Sequence, residues 1–225
     1  MSDKQVKSKE RVTDHGEVFT NDREIQAMVD LVAEQNEITG STYLEPTCGN
    51  GNFISEILRR KLLIVNKNCK KYQTFWEINA FMAVSSIYGI DLLEDNVQEC
   101  RERIYNIFFK EFYKPRFKKD VSERYCKAIK YVIRCNIICG NSLTFKDSEG
   151  KSLIVSEWKI IGDGMIQRKD YDYGSIVNMS DKKMTHTIDN WCDEDSNVRS
   201  KEPGLVNDTY PVTYYLDFGE SGDAQ

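Results

Sequence analysis

Two spacings of apolar residues alternate along the first two thirds of the chain. Ile25, Met28, Val29, Val32 and Ala33 recur at helical spacing behind Asp22, a capping residue type, and predict a helix running to about Gly40. Residues 42–45 read as a short strand. Phe53, Ile54, Ile57, Leu58 and Leu62 then mark an amphipathic helix. Residues 75–86 are apolar enough for a half-buried helix, preferred here to an extended pair. Residues 86–91 form a buried-type strand that ends in an acid. Residues 94–112 carry Val97, Cys100, Ile104, Ile107 and Phe108 on one stripe of a long helix. A basic connector with Pro115 leads to a helix over residues 123–134 and a third strand over residues 136–140. A helix followed by three strand–helix units predicts an open parallel sheet with helices on both faces.

Beyond Ser142 the pattern changes. Residues 152–161 and 165–177 are strand-like runs around Gly162-Asp163-Gly164, an antiparallel hairpin signal. Residues 178–203 are polar and acidic and predict loop or disorder. Residues 210–218 suit one last strand. The expected organisation is a frayed tail over residues 1–15, one domain with its hairpin over 16–177, and an acidic extension over 178–225.

Composition narrows the class. Of 225 residues, 40% are hydrophobic and 30% charged, which fits a globular protein. No apolar run approaches the roughly 20 residues that cross a bilayer. The charged start is unlike a secretory signal. Seven scattered cysteines and two histidines give no metal-ligand spacing, so no metal is expected, and reduced thiols of a cytoplasmic protein are the simpler reading. Residues 178–225 hold ten acids against four bases, a balance of −6, which leaves the rest near +1 because the whole is −5. A local basic face is therefore available. Arg59, Arg60, Lys61, Lys67, Lys70 and Lys71 form one cluster. Lys110, Lys114, Arg116, Lys118 and Lys119 form another, interleaved with Tyr113 and Phe117. Solvated helix ends are the plainer reading of both, phosphate binding the sharper one.

The candidate chemistry sits at three strand ends. Tyr43 to Phe53 reads as strand, acid, small-residue loop and helix. Gly49 and Gly51 let the backbone bend and leave room for a ligand. The helix beginning near Asn52 aims free amides at an anion such as a carboxylate. Glu45 would repel a pyrophosphate but accept an ammonium group. A ligand with both groups, such as S-adenosylmethionine, fits better than a dinucleotide, and a bare strand-to-helix turn stays open as the alternative. Asp91 suits two ribose hydroxyls or a helix cap. Asn141 suits an adenine edge or a turn.

Taken in order, these segments resemble the N-terminal part of the S-adenosylmethionine-dependent N6-adenine DNA methyltransferases of restriction–modification systems. Gly16-Glu17-Val18-Phe19-Thr20 resembles the segment that closes over the methionine end of the cofactor. Leu44 to Phe53 resembles the main cofactor loop. Tyr88-Gly89-Ile90-Asp91-Leu92 resembles the ribose-binding strand, and Asn136 to Leu143 the adenine-contacting strand end. The resemblance implies a Rossmann-like methyltransferase fold: a partial parallel sheet with flanking helices, followed by the antiparallel hairpin. It implies S-adenosyl-L-methionine as cofactor, held by Phe19, Thr20, Glu45, Pro46, Thr47, Gly49, Gly51, Phe53, Asp91, Leu92, Asn141, Ser142 and Leu143.

Two departures matter. The family usually has Asp where this chain has Asn141. Its catalytic signature, Asn or Asp, then Pro-Pro, then an aromatic, is absent: the four prolines stand at 46, 115, 203 and 211. That signature orients and stacks on an extrahelical adenine. Asp189-Asn190-Trp191 is the nearest imitation and lacks both prolines. No catalytic residue is therefore assigned. The chain is expected either to need a second subunit that supplies the catalytic loop and target recognition, or to be an inactive binding module that acts as decoy or regulator. A small-molecule methyltransferase with its acceptor site on the hairpin is a weaker third reading. DNA is the expected outside partner, and no membrane partner is expected.

Overall fold

The computed structural model describes residues 7–15, 17–18, 20–35, 41–182 and 206–219. At its centre three parallel strands, β1 (Tyr43–Glu45), β2 (Ile87–Asp91) and β3 (Ile137–Cys139), lie side by side in that order. Glu45 is registered against Gly89, and Asp91 against Cys139. Side chains alternate between the faces of such a sheet. Tyr43, Ile87 and Ile137 join one core, while Leu44, Ile90 and Ile138 join another. The outer edge of β1 pairs with no strand among the described residues.

The helices are α1 (Lys9–His15), α2 (Asp22–Gln35), α3 (Asn52–Asn68), α4 (Gln73–Ser85), α5 (Glu94–Asn106), α6 (Lys114–Phe117), α7 (Glu123–Asn136) and α8 (Tyr173–Lys182); α2 to α5 and α7 follow the predicted order, whereas α1, α6 and α8 were not expected. Between α5 and α6 the ladder widens into a π-helical segment, Ile107–Tyr113. The first face of the sheet is covered by α3, α5 and α7. Ile25 and Val29 of α2 are buried in the same core, whereas Met28, expected beside them, is exposed. The second face is not a helical layer as expected. It receives Leu153, Val155 and Tyr173, with Ile176 and Val177 of α8 packed against them.

The antiparallel part is a second sheet of β4 (Ile154–Gly162), β5 (Met165–Asp172), β6 (Val206–Thr209) and β7 (Thr213–Tyr214), with β5 pairing to the other three. Its tight turn has Asp163 at φ 47° and Gly164 at φ 78°, the doubly positive pattern that matches strand twist. Trp158 of β4 fixes this sheet to the first core. Its ring lies edge-on to Phe81 and Phe218, and its Nε1 donates to Asn136 Oδ1 at 2.9 Å. Asn136 Nδ2 in turn donates to the Ser85 and Ile87 carbonyls where the chain enters β2.

Several expectations change. The second hairpin strand stops at Asp172, because Asp172 Oδ1 accepts the Ser175 N–H at 2.7 Å and starts α8. Of the last strand expected over residues 210–218 only Thr213–Tyr214 forms, while β6 precedes that range and ends before Pro211, which has no N–H for a ladder. Residues 9–15 are a docked helix rather than a frayed tail. Asn21, not Asp22, caps α2, its Oδ1 accepting the Glu24 N–H at 3.0 Å. The expected helix end at Gly40, Phe19, Asp189-Asn190-Trp191 and most of the acidic stretch, residues 183–203, lie outside the described residues.

One dimension bears on function. α3 has 17 residues and runs about 25 Å, whereas β2 has five residues and spans about 17 Å. The helices therefore overhang the amino ends of the strands. At that far end the α3–α4 turn meets the α6–α7 connector. Arg116 donates to the Cys69 carbonyl at 2.6 Å, and Gln73 Nε2 to the Asp120 carbonyl at 2.9 Å. Behind this contact the buried Glu77 carboxylate accepts from Tyr113 at 2.5 Å and from Tyr215 at 2.6 Å. No helix among the described residues is long and apolar enough to cross a membrane.

Candidate functional site

The carboxyl ends of the three strands bring most of the predicted site residues to one rim. After Glu45 the chain turns through exposed Pro46 and Thr47, and the Cys48 N–H donates to the Ile90 carbonyl at 2.9 Å, extending the β1–β2 pairing. Gly49 at φ 53° and Gly51 at φ 84° then reverse the chain into α3. Gly51 also lies so close to α5 that an added Cβ would meet Cys100 Sγ at 2.5 Å. The glycines are thus required for loop shape and packing. Gly51 is the N-cap of α3 and has no side chain, so the first amides of the helix receive no side-chain cap. Phe53, in that first turn, is half-buried against the core.

Asp91 is the pivot of the rim. Its Oδ2 accepts the Gly49 N–H at 2.9 Å. Its Oδ1 accepts the Leu93 N–H at 2.9 Å and Asn96 Nδ2 at 3.2 Å. A carboxylate offers about four acceptor positions, so Asp91 keeps room for about one more donor. Leu92 beside it is 54% exposed, and Leu143 at the end of β3 is 86% exposed. Asn141 Oδ1 accepts the N–H groups of Leu143 at 2.9 Å and Thr144 at 3.1 Å. Both lone pairs of that oxygen are used, which leaves the amide hydrogens for another group. Ser142 is half-buried between them.

Glu45 is half-buried, and the Thr47 hydroxyl donates to its Oε1 at 3.3 Å. Burial pushes its carboxyl above the usual range, with the Thr47 hydrogen bonds opposing. Thr20 is exposed, and its carbonyl faces Asn52 Nδ2 at 3.5 Å, which places the segment after Glu17 beside the start of α3.

Sequence reasoning missed the network that ties this segment down. Asn96 Nδ2 donates to Glu17 Oε1 at 2.6 Å as well as to Asp91. Arg11 pairs with Glu17 at 2.6 Å and with Asp95 at 2.5 Å, and Lys7 reaches Glu99 at 2.8 Å. The Arg11 guanidinium, opposed by desolvation and joined by Lys7, holds the Asp95 carboxyl down to about 2. A chain of contacts therefore runs from Arg11 through Glu17, Asn96 and Asp91 to the Gly49 backbone. The sequence signal was an Asn five residues after an acid at a strand end, read only as part of a helix. Next to Gly51, Asn50 Nδ2 donates to Glu99 Oε1 at 3.2 Å. Among the described residues no group of three His, Cys, Asp or Glu side chains is placed to hold a metal. All six described cysteines are free thiols.

Comparisons with known protein families, with curated proteins and with solved structures returned no match for this chain.

Proposed function

We propose that the rim binds S-adenosylmethionine, on a Rossmann-like methyltransferase fold, in a protein related to the DNA adenine-N6 methyltransferases of restriction–modification or phage systems. The observation that carries this reading is the convergence of three differently suited strand ends. The uncapped amides of α3 suit the ligand's carboxylate, and Glu45 suits its ammonium. Asp91 and the exposed Leu92 and Leu143 suit a ribose and a flat base.

The hydrogen bonds refine two roles. Asp91 takes one ribose hydroxyl rather than two, since three of its acceptor positions serve the protein. Asn141 donates through Nδ2 to a ring nitrogen of the base, since its oxygen is spent on the turn. Neither role supplies a group that would orient an acceptor adenine. Methyl transfer in this reading needs a partner that brings the missing polar, prolyl and aromatic groups.

Calorimetry with S-adenosylmethionine and its demethylated product tests the reading. Micromolar binding that weakens at least tenfold, about 1.4 kcal/mol, in a folded Asp91→Ala variant supports it. No heat and no thermal shift reject it. The second reading, an inactive module that binds a restriction–modification partner as decoy or regulator, is favoured by the absent Pro-Pro pair. Tritiated methyl transfer to unmethylated DNA, with and without proteins encoded nearby, separates the two.

A further inference from the structure

We propose that the far end of the helical overhang is a second binding surface, and that it takes single-stranded nucleic acid. The fold brings together two segments separate in sequence, residues 66–75 and 114–122, through the Arg116 and Gln73 hydrogen bonds to opposing carbonyls. Together they hold seven bases and one acid, Asp120, in a chain of net charge −5.

The two predicted basic clusters are sorted by the structure. Arg59 is paired with Glu111, and Arg60 with Glu56 and Asp30. Lys61 is buried and donates to the Ser41 carbonyl. Arg116 is spent on the Cys69 and Lys70 carbonyls and Lys114 lies over the Phe109 ring, so what remains at the tip is Lys67, Lys70, Lys71, Lys118 and Lys119, all exposed and outside every ion pair among the described residues. Tyr113 and Phe117, which interleave with the second cluster in sequence, turn inward onto Trp76. Their place at the surface is taken by Tyr72, 73% exposed, and Phe75, 55% exposed. Tyr72 is the N-cap of α4 and Phe75 lies in its first turn, so both rings stand at the start of that helix.

Unpaired lysines track a phosphate backbone, and exposed rings stack on unpaired bases. A duplex hides its base faces, so the two rings favour a single strand. Lys118 holds φ 51° and ψ −104°, a positive-φ conformation that costs a lysine more than a glycine. The tip and the strand-end rim lie at opposite ends of α3, so this surface stands apart from the cofactor proposal.

Fluorescence anisotropy with the full chain tests it, using a short labelled oligothymidine and the same strand in duplex. The expected result is tighter binding of the single strand, with a log–log salt slope of about −3.5 for five lysine–phosphate contacts. Lys70→Gln/Lys71→Gln/Lys118→Gln/Lys119→Gln lowers affinity at least tenfold and flattens the slope. Tyr72→Ala/Phe75→Ala lowers affinity about tenfold and leaves the slope unchanged. Lys118→Gly, which relieves the backbone, keeps the fold and still weakens binding. Asp91→Ala leaves oligonucleotide binding intact whatever it does to the cofactor. Equal or tighter duplex binding, no loss in the aromatic variant, or no binding at low salt overturns the proposal.

Discussion

The Gly49 backbone N–H donates to Asp91 Oδ2 at 2.9 Å, so the acid that ends the second strand holds the loop that follows the first. Removing it has a structural cost apart from any ligand. Asp91→Ala leaves three donors without their acceptor and is expected to lower stability by about 1–3 kcal/mol. Asp91→Asn, with one acceptor oxygen, recovers part of that. Urea denaturation of both variants measures the difference, and equal stability to wild type would remove Asp91 as the pivot.

Gly51 is expected to tolerate no side chain. Gly51→Ala meets both the positive φ and Cys100 Sγ, and should cost about 1–3 kcal/mol. Adding Cys100→Ala removes the sulfur but not the backbone strain. A double-mutant cycle should therefore show partial rescue, and full additivity would reject the contact.

The docking of α1 should depend on acid. The folded Asp95 pKa is depressed to about 2 by Arg11, so its contribution is whole above the ordinary carboxylate value and fades as pH falls from there through about 2. The side chain is about half exposed, and the effect is correspondingly small. Hydrogen exchange in residues 9–15 should speed up as pH drops through that window, after correction for the intrinsic rate. Asp95→Asn should remove this pH dependence and leave exchange slightly faster at neutral pH.

Glu45 titrates in the other direction. Its carboxyl is raised by burial, so it takes up a proton at higher pH than an ordinary Glu, and its protonation favours the fold as pH falls. An ammonium ligand needs the ionised form. Affinity for S-adenosylmethionine should therefore fall with pH through this raised value, and Glu45→Gln should remove both the affinity and its pH dependence. A pH-independent titration of the wild type would take Glu45 out of the site.

The buried Glu77 binds the returning segment that contains β7 to the helices through Tyr215. Glu77→Gln presents one acceptor to two tyrosines and should destabilise by about 1–3 kcal/mol. Tyr215→Phe leaves the other oxygen unpaired and should cost about the same or less. Thermal melting measures both, and an unchanged Glu77→Gln would show that the tyrosines find other partners.

The strand–helix alternation up to β3 was legible because each element carries its own period and each strand its own terminal polar residue. Residues 173–177 were misread, since a short apolar run does not distinguish strand from helix, and the deciding feature was one Asp172 hydrogen bond. α1 was invisible for the opposite reason. Its charged residues look solvated in sequence, and only the fold brings Arg11 to Glu17 and Asp95. At the rim, residue types and order could be read from the chain. Their hydrogen-bond allegiance could not, and it changes the roles open to Asp91 and Asn141. The same holds at the tip, where Lys61 leaves its cluster for the interior and Tyr72 replaces Tyr113 at the surface.

The outer flank of β1, which pairs with no strand among the described residues, limits what could dock there. Tyr43 points toward the helical layer and Leu44 toward the opposite core. A peptide joining this margin must therefore be greasy on both sides. With only three residues to zip against, it can gain little from main-chain bonds. Any guest at this seam has to carry its own fold and grip the protein elsewhere as well.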